Sequence, residues 1–140
     1  MIILDTNVVS ELMKPTPDVS VQKWFAGLGA DPLATTSICL SEIVYGLSRL
    51  PHGQRRVSLF EKLETFLGPD SGLPVLALDN VAARECGRLR AMREAIGKAA
   101  TPSDMMIAGI ASAMGAALAT RNVRDFEGLG LNLIDPWSPL

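Results

Sequence analysis

The chain has 140 residues, 48% of them hydrophobic, and a formal net charge of −2. That length suits one domain, residues 1–140, with a single well-filled core, and that composition excludes a disordered chain. One histidine and two widely spaced cysteines exclude a histidine-based triad, a multi-histidine metal site and a zinc or disulfide framework.

Read in chain order, Ile2–Leu4 forms a short strand that runs straight into Asp5, with Thr6, Asn7 and Ser10 just beyond. MIIL is too short for a signal-peptide core and has no basic residue before it. Asp, Thr and Asn all favour the start of a helix, so Asp5 reads either as a cap or as an acid placed at a strand end. A brief helix over roughly Val8–Met13 stops before Lys14-Pro15. Asp18 caps VSVQKWFAGL, whose Val21, Trp24, Phe25 and Leu28 recur at helical spacing. Leu33–Thr36 is a second strand, and helices follow at Ser37–Leu50 and Gln54–Leu67, parted by Pro51-His52-Gly53. LPVLAL, Leu73–Leu78, is the clearest strand, and Asp79 caps a long helix to about Ile96. Thr101-Pro102-Ser103-Asp104 starts another helix, with Pro in the first turn and an acid three residues past the cap. Ala117–Thr120 and Leu131–Ile134 supply the last strands.

The uncharged stretch MMIAGIASAMGAALAT, Met105–Thr120, falls short of the ~20 strongly apolar residues of a membrane span and is rich in Gly, Ala and Ser. It reads as a tightly packed internal helix followed by a strand, in a cytoplasmic protein with no membrane segment. Alternating strands and helices imply an α/β domain with a mainly parallel sheet and helices on both faces. In such sheets ligands bind outside the carboxyl ends of the strands, where strand order reverses. Asp5 stands at one such end and Thr120-Arg121-Asn122 at another.

Glu42 lies in the helix SICLSEIVYGLSRL, where its neighbours three and four residues away are Ile38, Cys39, Tyr45 and Gly46. No local ion pair explains it, so it is either solvated or aimed at a partner elsewhere. Asp104 suits the first turn of its helix electrostatically, but the helix behind it carries no charge, which puts the acid at the mouth of a buried element. Asp125 follows the Ala117–Thr120 strand by a short turn and, beside Arg121 and Arg124, reads alone as a surface ion pair. Together with Asp5, these acids come from a strand end, two helices and a loop near one sheet edge. Carboxylates crowded into one pocket raise one another's pKa unless a cation neutralises them. With no histidine or cysteine cluster, hard oxygen ligands point to Mg²⁺ or Mn²⁺, and such sites hydrolyse phosphodiesters.

DTNVVSEL, the SEIVYG helix, TPSDMMIAGIA and ATRNVRDFEGLGLNLIDPW, in that order from Met1 to about Trp137, resemble the PIN-domain ribonucleases. Within them the resemblance is to the VapC-type toxins of bacterial toxin–antitoxin pairs, FitB-like members included. It implies a three-layer α/β/α sandwich around a small parallel sheet and an Mg²⁺-dependent endoribonuclease. It also implies a two-fold dimer and silencing by a cognate antitoxin, a small DNA-binding protein. Asp5, Glu42 and Asp104 fall on the family's three most regular acids, with Asp5 and Asp104 as the main metal ligands. The fourth is supplied in some members directly after Thr-Arg, where this chain has Asn122, and in others three residues later, at Asp125. Thr6, Asn7 and Ser10 then become polar support around Asp5.

Of the 15 acids, setting those four aside leaves 11 against 13 bases, a balance of +2. The helix after Asp79 carries Arg84, Arg88, Arg90, Arg93 and Lys98 against Glu85 and Glu94, as an ordinary solvated helix or as a phosphate track toward the site. Arg121 and Arg124, flanking Asn122 and following Thr120, are nearer the acids and better placed to touch a scissile phosphate. Two other function classes compete: a non-catalytic PIN-like module that holds RNA or protein, and a metal-dependent DNA nuclease. Retention of Asp5, Glu42 and Asp104 argues against the module. A phosphatase is disfavoured because DTN lacks the second aspartate of a DxD motif.

Overall fold

Strand and helix signals resolve, in a computed structural model that describes residues 1–138, into an alternating α/β order. The last two residues of the expected 1–140 domain lie outside the described residues. β1 (Ile2–Leu4) leads to α1 (Thr6–Leu12), α2 (Val19–Ala26), β2 (Leu33–Thr36), α3 (Ser37–Ser48) and α4 (Gln54–Leu67). Then follow β3 (Val75–Leu76), α5 (Asn80–Ala95), α6 (Pro102–Met114), β4 (Ala117–Ala119), a 3-10 turn (Val123–Phe126) and β5 (Leu133–Ile134). The capping side chains anticipated from sequence do cap. Asp18 accepts from the Ser20 amide at 2.8 Å, Asp79 from Ala82 at 2.9 Å and Thr101 from Asp104 at 3.2 Å.

The five strands pair in the order β3-β2-β1-β4-β5, and every pairing is parallel. Side chains alternate across such a sheet, so each strand feeds two cores. Ile3, Ala34 and Leu118 face Ala82, Leu89, Met105, Ile107 and Ile110 of α5 and α6. Ile2, Leu4 and Ala119 face Val8, Val9, Ile43 and Leu63 of α1, α3 and α4. The result is the expected three-layer α/β/α sandwich.

Two strands are shorter than their apolar runs. In LPVLAL only Val75 and Leu76 pair, because Pro74 has no N–H to give and the Ala77–Asp79 turn leads directly into the cap of α5. Pro74 still contributes its carbonyl, which accepts from Thr35 at 2.9 Å. β5 likewise begins at Leu133, two residues into its run.

Met105, Ile107, Ala108, Gly109, Ile110 and Ala111 of α6 are all buried within the chain, so this helix spends its apolar surface on its own fold. Its partner is α5, the most extensive helix contact in the molecule. At Gly109 the helices come so close that a Cβ would lie 2.6 Å from the Ala82 carbonyl oxygen and 2.8 Å from the Cys86 backbone nitrogen. Among the described residues, no helix is long and apolar enough to cross a membrane.

Candidate active site

The chain builds outward from β1 to β2 and β3, then returns to add β4 and β5 on the other side, so strand order reverses between β1 and β4. The carboxyl ends of those two neighbours carry Asp5 and Thr120, where theory locates the cleft of an open α/β sheet.

Asp5 is buried, and both of its carboxylate oxygens are engaged. Oδ1 accepts from the Thr6 backbone N–H at 2.8 Å, and Oδ2 accepts from the Thr120 hydroxyl at 2.8 Å. The two readings of Asp5 therefore coincide: it caps α1 and presents an acid at the strand end. Cys39 lies behind it, with Sγ 3.9 Å from Oδ1. Burial pushes the Cys39 thiol up, so it stays protonated and serves as a weak donor, not a metal ligand.

Thr6 joins the second acid to the first. Its hydroxyl donates to Glu42 Oε1 at 3.2 Å, so Glu42 bonds across from α3 to α1 although the residue as a whole is exposed. Asp104 sits half-buried in the first turn of α6, and Asp125 is exposed on the 3-10 turn after β4. Burial raises the pKa of Asp5 against its bonds from Thr120, Thr6 and Cys39, and the charge of Asp125 raises it further. Burial likewise raises Glu42, with Asp5 and Asp104 adding repulsion. Asp104 is raised first by burial and then by Asp5 and Asp125, with Arg93 opposing. Asp5, Glu42 and Asp104 thus stand within one electrostatic set, and Asp125 acts on Asp5 and Asp104.

The four acids are linked by charge at this edge of the sheet without closing on one point. Among the described residues, no group of three or more His, Cys, Asp or Glu forms a finished metal site. The donor set itself suits a hard divalent cation: it is all oxygen, anionic and partly desolvated.

The supporting residues divide. Thr6 and Thr120 bond directly to the acids, whereas Asn7 and Ser10 are exposed, and Ser10 lines a groove with Thr6 and Glu42. That groove, about 480 Å³ between α1, α3 and α4, also takes in Lys14 and Arg55, two cations that sequence spacing did not single out. Asn122 donates its backbone N–H to the Thr120 hydroxyl at 3.0 Å, which orients the group that holds Asp5. Arg121 is exposed and stacks on Trp137, 4.9 Å from guanidinium carbon to ring centre. Arg124 is exposed beside Asp125.

The basic helix α5 also divides. Arg88 pairs with Glu85 at 2.6 Å and Arg90 with Glu94 at 3.4 Å, as on an ordinary solvated helix. Arg93 does neither: it is 4% exposed and turns inward.

A PIN-domain profile matches residues 2–130. The VapC ribonuclease Y4jK of Sinorhizobium fredii is 38% identical, covering 99% of both chains. The tRNA(fMet)-specific endonuclease VapC of Shigella flexneri is 33% identical, covering 96% of each. The solved structure of FitAB bound to an IR36 DNA fragment superposes with a TM-score of 0.91 at 28% identity, covering 100% of this chain and 98% of that one. The chain belongs to the PIN-domain family, as a VapC-type member.

Proposed function

We propose that this chain is a metal-dependent endoribonuclease and the toxin of a toxin–antitoxin pair. One observation carries the reading: Asp5, Glu42 and Asp104, from three separate elements, are each raised by burial and by the charge of other acids in the set, Asp125 among them. PIN-domain nucleases are generally divalent-metal dependent, and a hard oxygen donor set selects Mg²⁺ or Mn²⁺. Asp5 and Asp104 are the residues that would hold the ion. When bound, it supplies neutralising charge, acidifies water and stabilises charge developing on a phosphate.

The chain's own groups do the rest. Thr120 and the Thr6 amide hold the Asp5 carboxylate in one orientation. Glu42, with Oε1 engaged by Thr6, keeps its other oxygen for a hydrogen of the attacking water. Asp125 adds the fourth negative charge, acting on both Asp5 and Asp104. Arg121 and Arg124 contact the RNA backbone, Arg121 with its plane held by Trp137. RNA as substrate accords with relatives described as a ribonuclease and a tRNA endonuclease. The protein partner is an antitoxin with DNA-binding ability, in keeping with the DNA-bound FitAB relative. A cytoplasmic homodimer fits the same reading. Since α6 is committed internally, its two-fold contact falls on exposed apolar positions such as Val44, Tyr45 and Val57.

The purified chain is assayed on structured RNA and on single-stranded DNA, with Mg²⁺, with Mn²⁺ and with EDTA. Cleavage of RNA that requires metal and vanishes in Asp5→Asn is expected. Full cleavage in EDTA, with contaminating nuclease removed, overturns the metal mechanism. Equal cleavage of DNA overturns the ribonuclease reading, and folded protein inert on both with either ion is a binding module.

A further inference from the structure

Among the described residues, Arg93 is the one buried cation. Placing a guanidinium inside a protein is costly unless its charge and its donors are met. Here they are met only in part. Nη1 donates to the Glu127 carbonyl at 2.7 Å and to the Arg124 carbonyl at 3.2 Å. Nε is buried with no partner, and none of the ion pairs among the described residues includes Arg93. Packing of α5 alone would be served better by a plain apolar side chain, which would strand no donor.

The two carbonyls are informative because of what lies between them. Arg124 immediately precedes Asp125, and Glu127 follows it by two residues. A single nitrogen of α5 therefore grips both sides of the 3-10 turn that carries the fourth acid. The turn has two further anchors, the buried Phe126 and the 3.0 Å bond from the Asp125 amide to the Asn122 carbonyl. Phe126 shares an apolar cluster with Leu89 of α5 and Met105 of α6, so the Arg93 bonds add directional polar ties to a turn that is otherwise held to these helices by packing.

We propose that Arg93 is a positioning residue for the acidic site, tying the Asp125 turn to α5 and so setting where the fourth carboxylate stands relative to Asp104. This rests on the nuclease reading above. The opposing effects of Arg93 and Asp125 on Asp104 agree with that juxtaposition. A planar guanidinium directs its N–H bonds in fixed directions, which a lysine ammonium does not. Arg93→Lys therefore keeps a charge and loses the grip, while Arg93→Met keeps length and loses both.

Amide hydrogen exchange, Mn²⁺ binding by calorimetry and single-turnover RNA cleavage test this together. Both variants should speed exchange at residues 123–127 and leave the amides of α6 unchanged. Arg93→Met should weaken Mn²⁺ binding and slow cleavage by up to roughly 10-fold, no more than Asp125→Asn itself, as for a group that supports a metal site from outside. Combined with Asp125→Asn it should cleave no more slowly than Asp125→Asn alone, because the two act through one group. Unchanged exchange at 123–127 in folded Arg93→Lys or Arg93→Met overturns the proposal, as do losses that multiply in the double variant. Should Arg93→Met fail to fold, exchange in Arg93→Lys decides. If the wild-type chain cleaves no RNA, the nuclease reading fails, and the exchange and Mn²⁺ measurements still decide the role of Arg93.

Discussion

Asp5 and Asp125 supply the same chemical group to the proposed site, yet they are held by opposite means. Asp5 is buried at the end of the central strand, its amide bonded to Ala119 at 2.9 Å and both carboxylate oxygens engaged. Sheet register alone puts it there. Asp125 is exposed on a turn whose backbone is pinned from a distant helix, with no side-chain bond to the carboxylate among the described residues. An acid fixed by the sheet cannot be moved without breaking the fold. An acid fixed by a turn can be moved by changing residues that never touch the substrate.

The largest expected effect is therefore at the strand end. Asp5→Asn keeps an oxygen for only one of its two donors and removes the charge, so single-turnover RNA cleavage should fall on the order of 100-fold or more. Its melting temperature without metal should hold or rise. A variant that unfolds instead would show that the carboxylate serves the fold first.

Asp125→Asn should be milder, a loss of roughly 10-fold, about 1.4 kcal/mol of transition-state stabilisation. Mn²⁺ affinity should weaken less than in Asp5→Asn. Asn122→Asp restores a charge directly after β4 and should tighten Mn²⁺ binding measured by calorimetry. Wild-type cleavage by Asp125→Asn across a Mg²⁺ titration would reduce the site to Asp5, Glu42 and Asp104.

Thr120→Val removes the hydroxyl that holds Asp5 Oδ2 and should slow cleavage by only a few-fold, since the Thr6 amide still holds Oδ1. A loss as large as that of Asp5→Asn would mean that orientation matters as much as charge.

The smallest effect is a slope. Burial, first, and mutual repulsion hold Asp5, Glu42 and Asp104 above the ordinary carboxylate range. In the metal-free protein the folded state then binds more protons than the unfolded chain, so stability falls as pH rises from the ordinary carboxylate range through the raised values. Melting temperature against pH, with and without Mg²⁺, reads this directly. Metal should flatten the fall, and Asp5→Asn should remove part of it.

Much of this was legible in sequence because local chemistry decides it. Asp18, Asp79 and Thr101 announce their helices, and apolar runs announce the strands. Glu42 could be singled out because no cation near it in the chain explains its charge, whereas Asp5 and Asp104 also read as helix-start residues and stood out through the ordered set of four motifs. Arg93 was not legible, because it sits among Arg84, Arg88, Arg90 and Lys98 on a helix that otherwise looks solvated. Only the docking of a turn 31 residues further on distinguishes it. Lys14 and Arg55 were missed for the same reason, since the groove that unites them with Glu42 draws on three helices. LPVLAL pairs over only two residues for a local reason, the missing N–H of Pro74.

The close approach at Gly109 carries a genetic consequence. Any side chain there would collide with the backbone of α5 and push that helix away from α6. Arg93 rides on the first of these helices and Asp104 on the second. Selecting for bacteria that survive induction of this gene should therefore recover Gly109 alleles beside the expected Asp5 ones. Such alleles would make folded protein, keep every acid, and map to a position that no inspection of the cleft would mark.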